Sequence, residues 1–355
     1  MTRWLIAASL IVIVLYLPHV LGGGWVYEDA ALLQGVAAPT SLWRPRALSQ
    51  SLWWLQWQAS PDPRLFHAVS VGLHLIVVGL TAVLVRRLGV SAAGATLAVI
   101  VIALHPLTVE TVAYAAQQGE LLAAIGVLTA CILATGRWWR APVWGGILVA
   151  VAFGMLGKES AVVALALVPL LIGARAAQAW ASWLPALLVA VGVGGGLVAW
   201  YGGWQSVANL GEAPGVHVDA LDWLLVQSAA AMRMLGLLVV PIGPFTVDYD
   251  YDAVHVAVRG VALFSVVGLC VAAMAIWNRW RLGVLGLAWM LIVIAPRLFI
   301  QTPRSIFNEH QAYLMVPGFA LLVGAAWDRW ADKAGHVLSH RAAALSGRQV
   351  QEPHA

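Results

Sequence analysis

Apolar runs of roughly 15 to 20 residues recur from one end of this chain to the other, and nothing else in the sequence limits its fold so sharply. They cover residues 4–21, 65–85, 91–104, 119–135, 143–156, 160–174, 183–201, 256–276, 283–296 and 313–328, with one further apolar stretch at 223–240. In hydrocarbon every backbone N–H and C=O must be satisfied internally, so such runs are carried by helices and not by open sheets. Composition agrees: 61% of the 355 residues are hydrophobic and 10% are charged, a balance that a water-soluble globular chain does not have. The mean hydropathy is +0.84.

The expected fold class is therefore all-α, a polytopic transmembrane helical bundle of about ten spans with added interfacial or re-entrant helices. Residues 1–330 form one membrane domain, 22–64 its first outer loop, and 331–355 a short, loose cytoplasmic tail. The first run lacks the small-residue cleavage site of a signal peptide, and the aromatic-acidic stretch Trp25-Val26-Tyr27-Glu28-Asp29 follows it at once. It reads as a retained first helix. Cys131 and Cys270 lie inside apolar runs, where packing is their expected role. There is no repeat of 20 to 50 residues, no phosphate loop and no nucleic-acid motif.

Basic residues in short loops set the orientation. Arg86-Arg87, Arg137 with Arg140, Arg175, Arg279 with Arg281, and the tail with Arg329, Lys333, Arg341 and Arg348 are all placed in the cytoplasm. Both termini are then inside. The basic loops at 174–182 and 277–282 share one side, so an even number of spans separates them, and 183–201 and 256–276 already make two. Stretch 223–240, with Arg233 near its middle, is accordingly expected as a re-entrant or interface-lying helix. Residues 47–57, rich in tryptophan, suit a helix lying at headgroup level.

The acidic residues sort more sharply than orientation requires. Glu28, Asp29, Asp62, Glu110, Glu120, Glu159, Glu212, Asp219, Asp222, Asp248, Asp250, Asp252 and Glu309 fall on or near the outer side, and only Asp328, Asp332 and Glu352 belong to the inner tail. A spacer or anchor has no need of this bias, whereas acid/base chemistry on the outer face has.

Five constellations carry candidate chemistry. Glu28-Asp29, just past helix 1, is either a general base near the membrane, its pKa lifted by charge and desolvation, or a solvated loop. Segment 105–120, with His105, Glu110, Tyr114, Gln117 and Glu120, is a polar stripe between two apolar spans; on a helix Glu110, Tyr114 and Gln117 share one face at i, i+4 and i+7, which lines a cavity or is hydrogen-bonded structure. Lys158, one of two lysines in the chain, either neutralises Glu159 or binds the phosphate of an anionic lipid. In 297–313, Arg304 stands beside Glu309, His310 and Tyr313 as a phosphate clamp or an interface anchor. Asp248-Tyr249-Asp250-Tyr251-Asp252 is a weak metal pattern and reads better as a hydrated turn.

The order of these motifs resembles a known family. An acidic pair in the first outer loop is followed by Trp43-Arg44-Pro45, Phe66-His67, Leu73-His74, His105-Pro106 with Glu110-Thr111-Val112-Ala113, Glu120-Leu121-Leu122-Ala123-Ala124, Lys158-Glu159, and Glu309 with Tyr313-Leu314. This looks like the membrane domain of the transmembrane and tetratricopeptide-repeat O-mannosyltransferases, within the C class of glycosyltransferases, over residues 20–320 and without the repeat domain. The resemblance implies an inverting transferase that moves a sugar from a polyprenyl-phosphate donor to an acceptor, a protein Ser/Thr hydroxyl or a glycan, on the outer face. It implies Asp29 with Glu28 as catalytic acids. Lys158, Arg304, Arg44, His105, Glu110, Glu120, Glu309 and Tyr313 become candidates for donor or substrate binding. Gln118 stands where the family usually has arginine, and Glu309-His310 where it has Glu-Arg.

The chemistry agrees in kind, because a departing lipid phosphate needs a cation and an acceptor hydroxyl needs a base at the same membrane depth. No resident cofactor or metal is expected, with a divalent ion left open, and no nucleic-acid partner. Low lysine with abundant Ala, Val, Leu, Gly and Arg leans toward a bacterial inner membrane, which makes the outer face periplasmic. Two other classes stay in view: a transporter or flippase for a lipid-linked or polar solute, and a catalytically inactive relative acting as an assembly partner.

Overall fold

The computed structural model describes residues 2–26, 29–39, 41, 46–136, 141–176, 220–242, 279–298 and 308–348, and scattered positions between 261 and 276. All regular elements among them are helical: α1 Thr2–Gly22, α2 Asp29–Leu33, α3 Ala47–Ala59, α4 Pro63–Arg87, α5 Ala92–Leu104, α6 Val109–Ala113, α7 Gln118–Ala134, α8 Ala141–Gly157, α9 Ala164–Ala176, α10 Ala220–Val239, α11 Arg281–Ile294 and α12 Val316–Arg348. Short 3₁₀ segments join several of them, at Pro106–Thr108, Ala115–Gln117, Glu159–Val163, Ala295–Leu298 and Glu309–Met315.

Among the described residues, four helices are long and apolar enough to cross a bilayer, in α1, α4, α7 and α10. A fifth candidate is the pair α5 and 106–113, bent by 51° at His105. Pro142–Gly157, Glu159–Ala174 and Arg281–Ile294 are shorter apolar helices. The expected spans 183–201 and 256–276, most of the connection between 201 and 223, and the acidic run 248–252 lie outside the described residues or nearly so.

One expectation is narrowed and one corrected. Stretch 223–240 is one unbroken helix of 20 residues, about 30 Å at 1.5 Å per residue; a re-entrant loop would need a break within it, which leaves an interface-lying helix or a crossing. The polar segment after Trp330 was expected to be loose, yet it continues α12 as far as Arg348. Its Ala-rich stretch, including Ala342, Ala343 and Ala344, favours helix once α12 has supplied the nucleus.

Local chemistry places the helix ends. Asp62 accepts from Arg64 N at 2.9 Å ahead of Pro63 at the first turn of α4, a preorganised start. Ser91 caps α5 through Gly94 N, and Asp328 of α12 in turn accepts from Ser91 N and its hydroxyl. Asn308 and Gln311 form a capping box ahead of Glu309–Met315. Within the bundle α7 packs on α8 and α4, α5 on α12, α11 on α12, and α1 on α4 and α5. The α7–α8 contact runs through Gly126 and Gly154, where a Cβ on Gly126 would stand 2.6 Å from Gly154 Cα.

Contacts between helix ends fall into two groups. Ser91 with Asp328, Arg87 with the Ile132 carbonyl and Arg329 with the Arg279 carbonyl mark one end of the bundle. Asp29 with residues 115–116, Gln56 with Gln118, and Ser49 with the Gly157 carbonyl mark the other.

Candidate functional site

The acidic end is organised by the broken segment 105–120. Proline disfavours helical geometry in the residue before it, and His105 is extended at φ −66°, ψ 129°. Its Nδ1 accepts from Leu107 N at 3.2 Å, so Nε2 carries the proton and donates to the Leu238 carbonyl at 3.0 Å. His105 therefore ends α5 and ties it to α10, with Thr108 donating to the His105 carbonyl at 2.8 Å.

The single polar face expected for Glu110, Tyr114 and Gln117 does not form. Tyr114 is extended at φ −93°, ψ 104° and separates α6 from Ala115–Gln117. The cause is Asp29. Its Oδ1 accepts from Ala116 N at 2.7 Å and its Oδ2 from Ala115 N at 3.2 Å, and these bonds replace those a continuous helix would supply. Val26 N adds a third at 3.3 Å. Asp29 is 0% exposed. Burial pushes its carboxyl up to about 6, against the bonds from Ala116, Val26 and Ala115 and the charge of His19, which all pull it down. Its sequence neighbour Glu28 lies outside the described residues.

One residue past that grip, Gln117 turns toward a second cluster. Lys158, extended at φ −159° where α8 ends, donates to Gln117 Oε1 at 2.9 Å and pairs with Glu120 Oε1 at 2.9 Å. Ser160 donates to Glu120 Oε2 at 2.6 Å. The pairing of Lys158 with Glu159 is corrected: Glu159 points the other way and takes the Arg46 guanidinium on both its oxygens, one bond from Nε at 2.8 Å. An extended residue followed by a 3₁₀ turn turns adjacent side chains apart. Arg46 has left-handed backbone, φ 59°, the one described non-glycine residue to do so, and non-glycine residues in this region cost of order 1 kcal/mol or more.

A third cluster closes the other flank. Glu110 accepts from His310 N at 2.7 Å and from its Nδ1 at 2.8 Å, and Thr111 donates to the His310 carbonyl at 3.4 Å. Glu309 is buried beside it. Tyr313 is enclosed in the bundle, its hydroxyl 2.7 Å from His74 Nδ1. Arg304 and Arg44, expected at the donor phosphate, lie outside the described residues. Between α1, α5 and the break sits a largely apolar groove of about 340 Å³, lined by Tyr16, His19, Ala103, His105, Thr108 and Ala113 among others.

Of the expected site residues, then, Asp29 and Lys158 are joined through residues 115–117, and Glu120 through its pair with Lys158. His105, Glu110 and Glu309 line the same broken segment, and Tyr313 stands apart with His74. Several partners escaped the sequence reading: His19, Arg46, the reciprocal amide pair Gln56–Gln118 (2.7 and 3.0 Å), Ser160 and the His74–Tyr313 bond. Each is a polar residue in or beside an apolar run, which marks a buried partnership without naming the partner. Among the described residues no group of three His, Cys, Asp or Glu side chains is placed to hold a metal. Comparison with family models, with curated proteins and with solved structures gives no match to this chain.

Proposed function

We propose that this chain is an integral-membrane glycosyltransferase of the C class, similar to the O-mannosyltransferases, that moves a sugar from a polyprenyl-phosphate donor to a hydroxyl acceptor on the outer face. On this reading α1, α4, the bent pair α5–α6, α7, α8, α9, α11 and α12 make eight crossings, and 183–201 and 256–276 complete ten. Helix α10 lies along the interface, both termini are cytoplasmic, and the acidic end faces the periplasm of a bacterial inner membrane.

One observation carries the proposal. A carboxyl pushed up to about 6 and an ammonium are held on neighbouring residues of one helix break, Asp29 by the amides of Ala115 and Ala116, Lys158 by the side chains of Gln117 and Glu120. A general base works best with its pKa near ambient pH, and Asp29 is nearer to it than an ordinary aspartate. The acceptor hydroxyl displaces the Val26 N–H, the longest of the three bonds at 3.3 Å, and gives its proton to Asp29. Lys158 spends two donors on Gln117 and Glu120 and has one more for the departing phosphate.

The test is transfer of radiolabelled sugar from a panel of polyprenyl-phosphate sugars in membranes with wild type or Asp29→Asn at equal folded protein. A loss of about 10²- to 10⁴-fold in the variant supports the base, and equal transfer removes Asp29 from the reaction. A second reading, transport of a lipid-linked solute, is favoured by the 51° break between α5 and 106–113, since transporters bind at broken helices. Movement of a labelled lipid-linked sugar across proteoliposomes, with no transfer to any acceptor, selects it.

A further inference from the structure

Asp29 is gripped by two separate backbone stretches, and each is held in place by one histidine. His19, on the last turn of α1, donates Nε2–H to the Ala113 carbonyl at 2.9 Å, two residues before the amides that bind Asp29. His67, on the first turns of α4, donates Nε2–H to the Gly24 carbonyl at 3.0 Å, two residues before Val26, the third amide on the carboxylate. A carbonyl only accepts, so both rings carry their proton on Nε2. The two imidazoles stack on each other, centroids 4.1 Å apart and tilted by 50°. Among the described residues His67 Nδ1 meets no hydrogen-bond partner, so Nε2 is the ring atom through which His67 bonds its surroundings.

We infer that His19 and His67 act together as the positioning residues for Asp29, each anchoring one of the two backbone stretches that aim amides at its carboxylate. This rests on the reading of Asp29 as the base and adds to it the reason the base stands where it does. His19 exerts a positive influence on Asp29, and the charged groups acting on His67 are His19 and Asp62. Freeing either stretch weakens amide bonds that favour the charged carboxylate, so the proton affinity of Asp29 rises further.

The experiment is an infrared pH titration of the purified full chain in detergent, the Asp29 carboxyl band being assigned by its loss in Asp29→Asn. His19→Phe and His67→Phe keep a planar ring and lose the N–H, whereas His67→Gln keeps an N–H donor. The expected result is a midpoint about one pH unit higher in each Phe variant, a wild-type midpoint in His67→Gln, and kcat for transfer lowered with KM unchanged in the Phe variants. Phe variants that titrate like wild type, or a Gln variant that shifts as far as Phe, overturn the inference. If the Phe variants do not fold, His67→Gln decides alone: a shifted band overturns the hydrogen-bond role and an unshifted one sustains it. Because the titration needs no turnover, absence of sugar transfer by wild type would sink the transferase reading and leave this result standing.

Discussion

Lys158 Nζ lies 2.9 Å from Glu120 Oε1, bridging the end of α8 to the first turn of α7, and Ser160 holds the second oxygen of the same carboxylate at 2.6 Å. The Glu120 side chain is 2% exposed and that of Lys158 15%. A pair this enclosed is costly to break from one side, because the remaining charge is left buried. Lys158→Met or Glu120→Leu is expected to destabilise the bundle by about 3–5 kcal/mol, with the double variant Lys158→Met/Glu120→Leu less affected than either. Unfolding by denaturant in detergent checks this, and additive losses would show that the two charges are not coupled.

Asp29 makes stability depend on pH in a direction opposite to most carboxylates. Its folded pKa is raised, from 3.8 to about 6, so the fold prefers the protonated form. The contribution is fully present below about pH 4 and is lost as pH rises through 6. Wild type should therefore lose up to about 3 kcal/mol across that window relative to Asp29→Asn, an order-of-magnitude figure. Paired unfolding curves between pH 4 and 7 measure it. On the proposed reading of Asp29 as the base, transfer should rise over the same interval as the carboxyl ionises.

The helical course of the bundle was legible because lipid allows few alternatives, and hydrophobic runs announce themselves by length. Runs 65–85, 119–135 and 143–156 fall within a few residues of α4, α7 and α8. The residues that meet at the helix break stood out by type in the sequence, but their partners did not. Nothing local in the sequence pairs Lys158 with Glu120 or sends Glu159 to Arg46, 113 positions away. The polar face through Glu110 and Gln117 failed for the same reason: its break at Tyr114 is imposed by Asp29, 86 positions before Ala115, and periodicity carries no record of a distant carboxylate. His19 is not singled out by the sequence, and His67 enters only through the Phe66-His67 motif, since a histidine that bonds a carbonyl leaves no pattern in its neighbours.

Glu110 ties the start of Glu309–Met315 to α6 through the backbone and ring of His310. Bonds to a charged acceptor are worth about 1.5–3 kcal/mol each. Glu110→Gln presents an N–H to one of the two donors and should free this corner. Amide exchange at residues 308–312 is expected to quicken at least about tenfold while exchange in α4 and α7 stays as in wild type. Equal protection in both proteins would show that the capping box alone holds the segment.

The contact between α7 and α8 depends on the absence of side chains. A Cβ on Gly126 would meet the Ala150 carbonyl at 2.6 Å and Gly154 Cα at 2.6 Å, and both are backbone atoms of a packed helix that cannot rotate away. Lipid tails are as apolar as the residues they would replace, so close packing of small residues is what holds such helices together. Gly126→Ala should then cost about 1–3 kcal/mol through overpacking, against the gain in helix propensity that alanine brings. Gly72 in α4 supplies the comparison, since a Cβ there meets nothing within 4 Å, and Gly72→Ala should be neutral or stabilising. The α7–α8 seam leads up to Gly157 and Lys158, so Gly126→Ala should also disturb the Lys158–Glu120 pair, and the double variant Gly126→Ala/Lys158→Met should then cost less than the sum of its two single variants. Unfolding of the two single glycine variants and the double variant measures all three terms, and a Gly126→Ala protein as stable as Gly72→Ala would mean that the two helices are not in close contact.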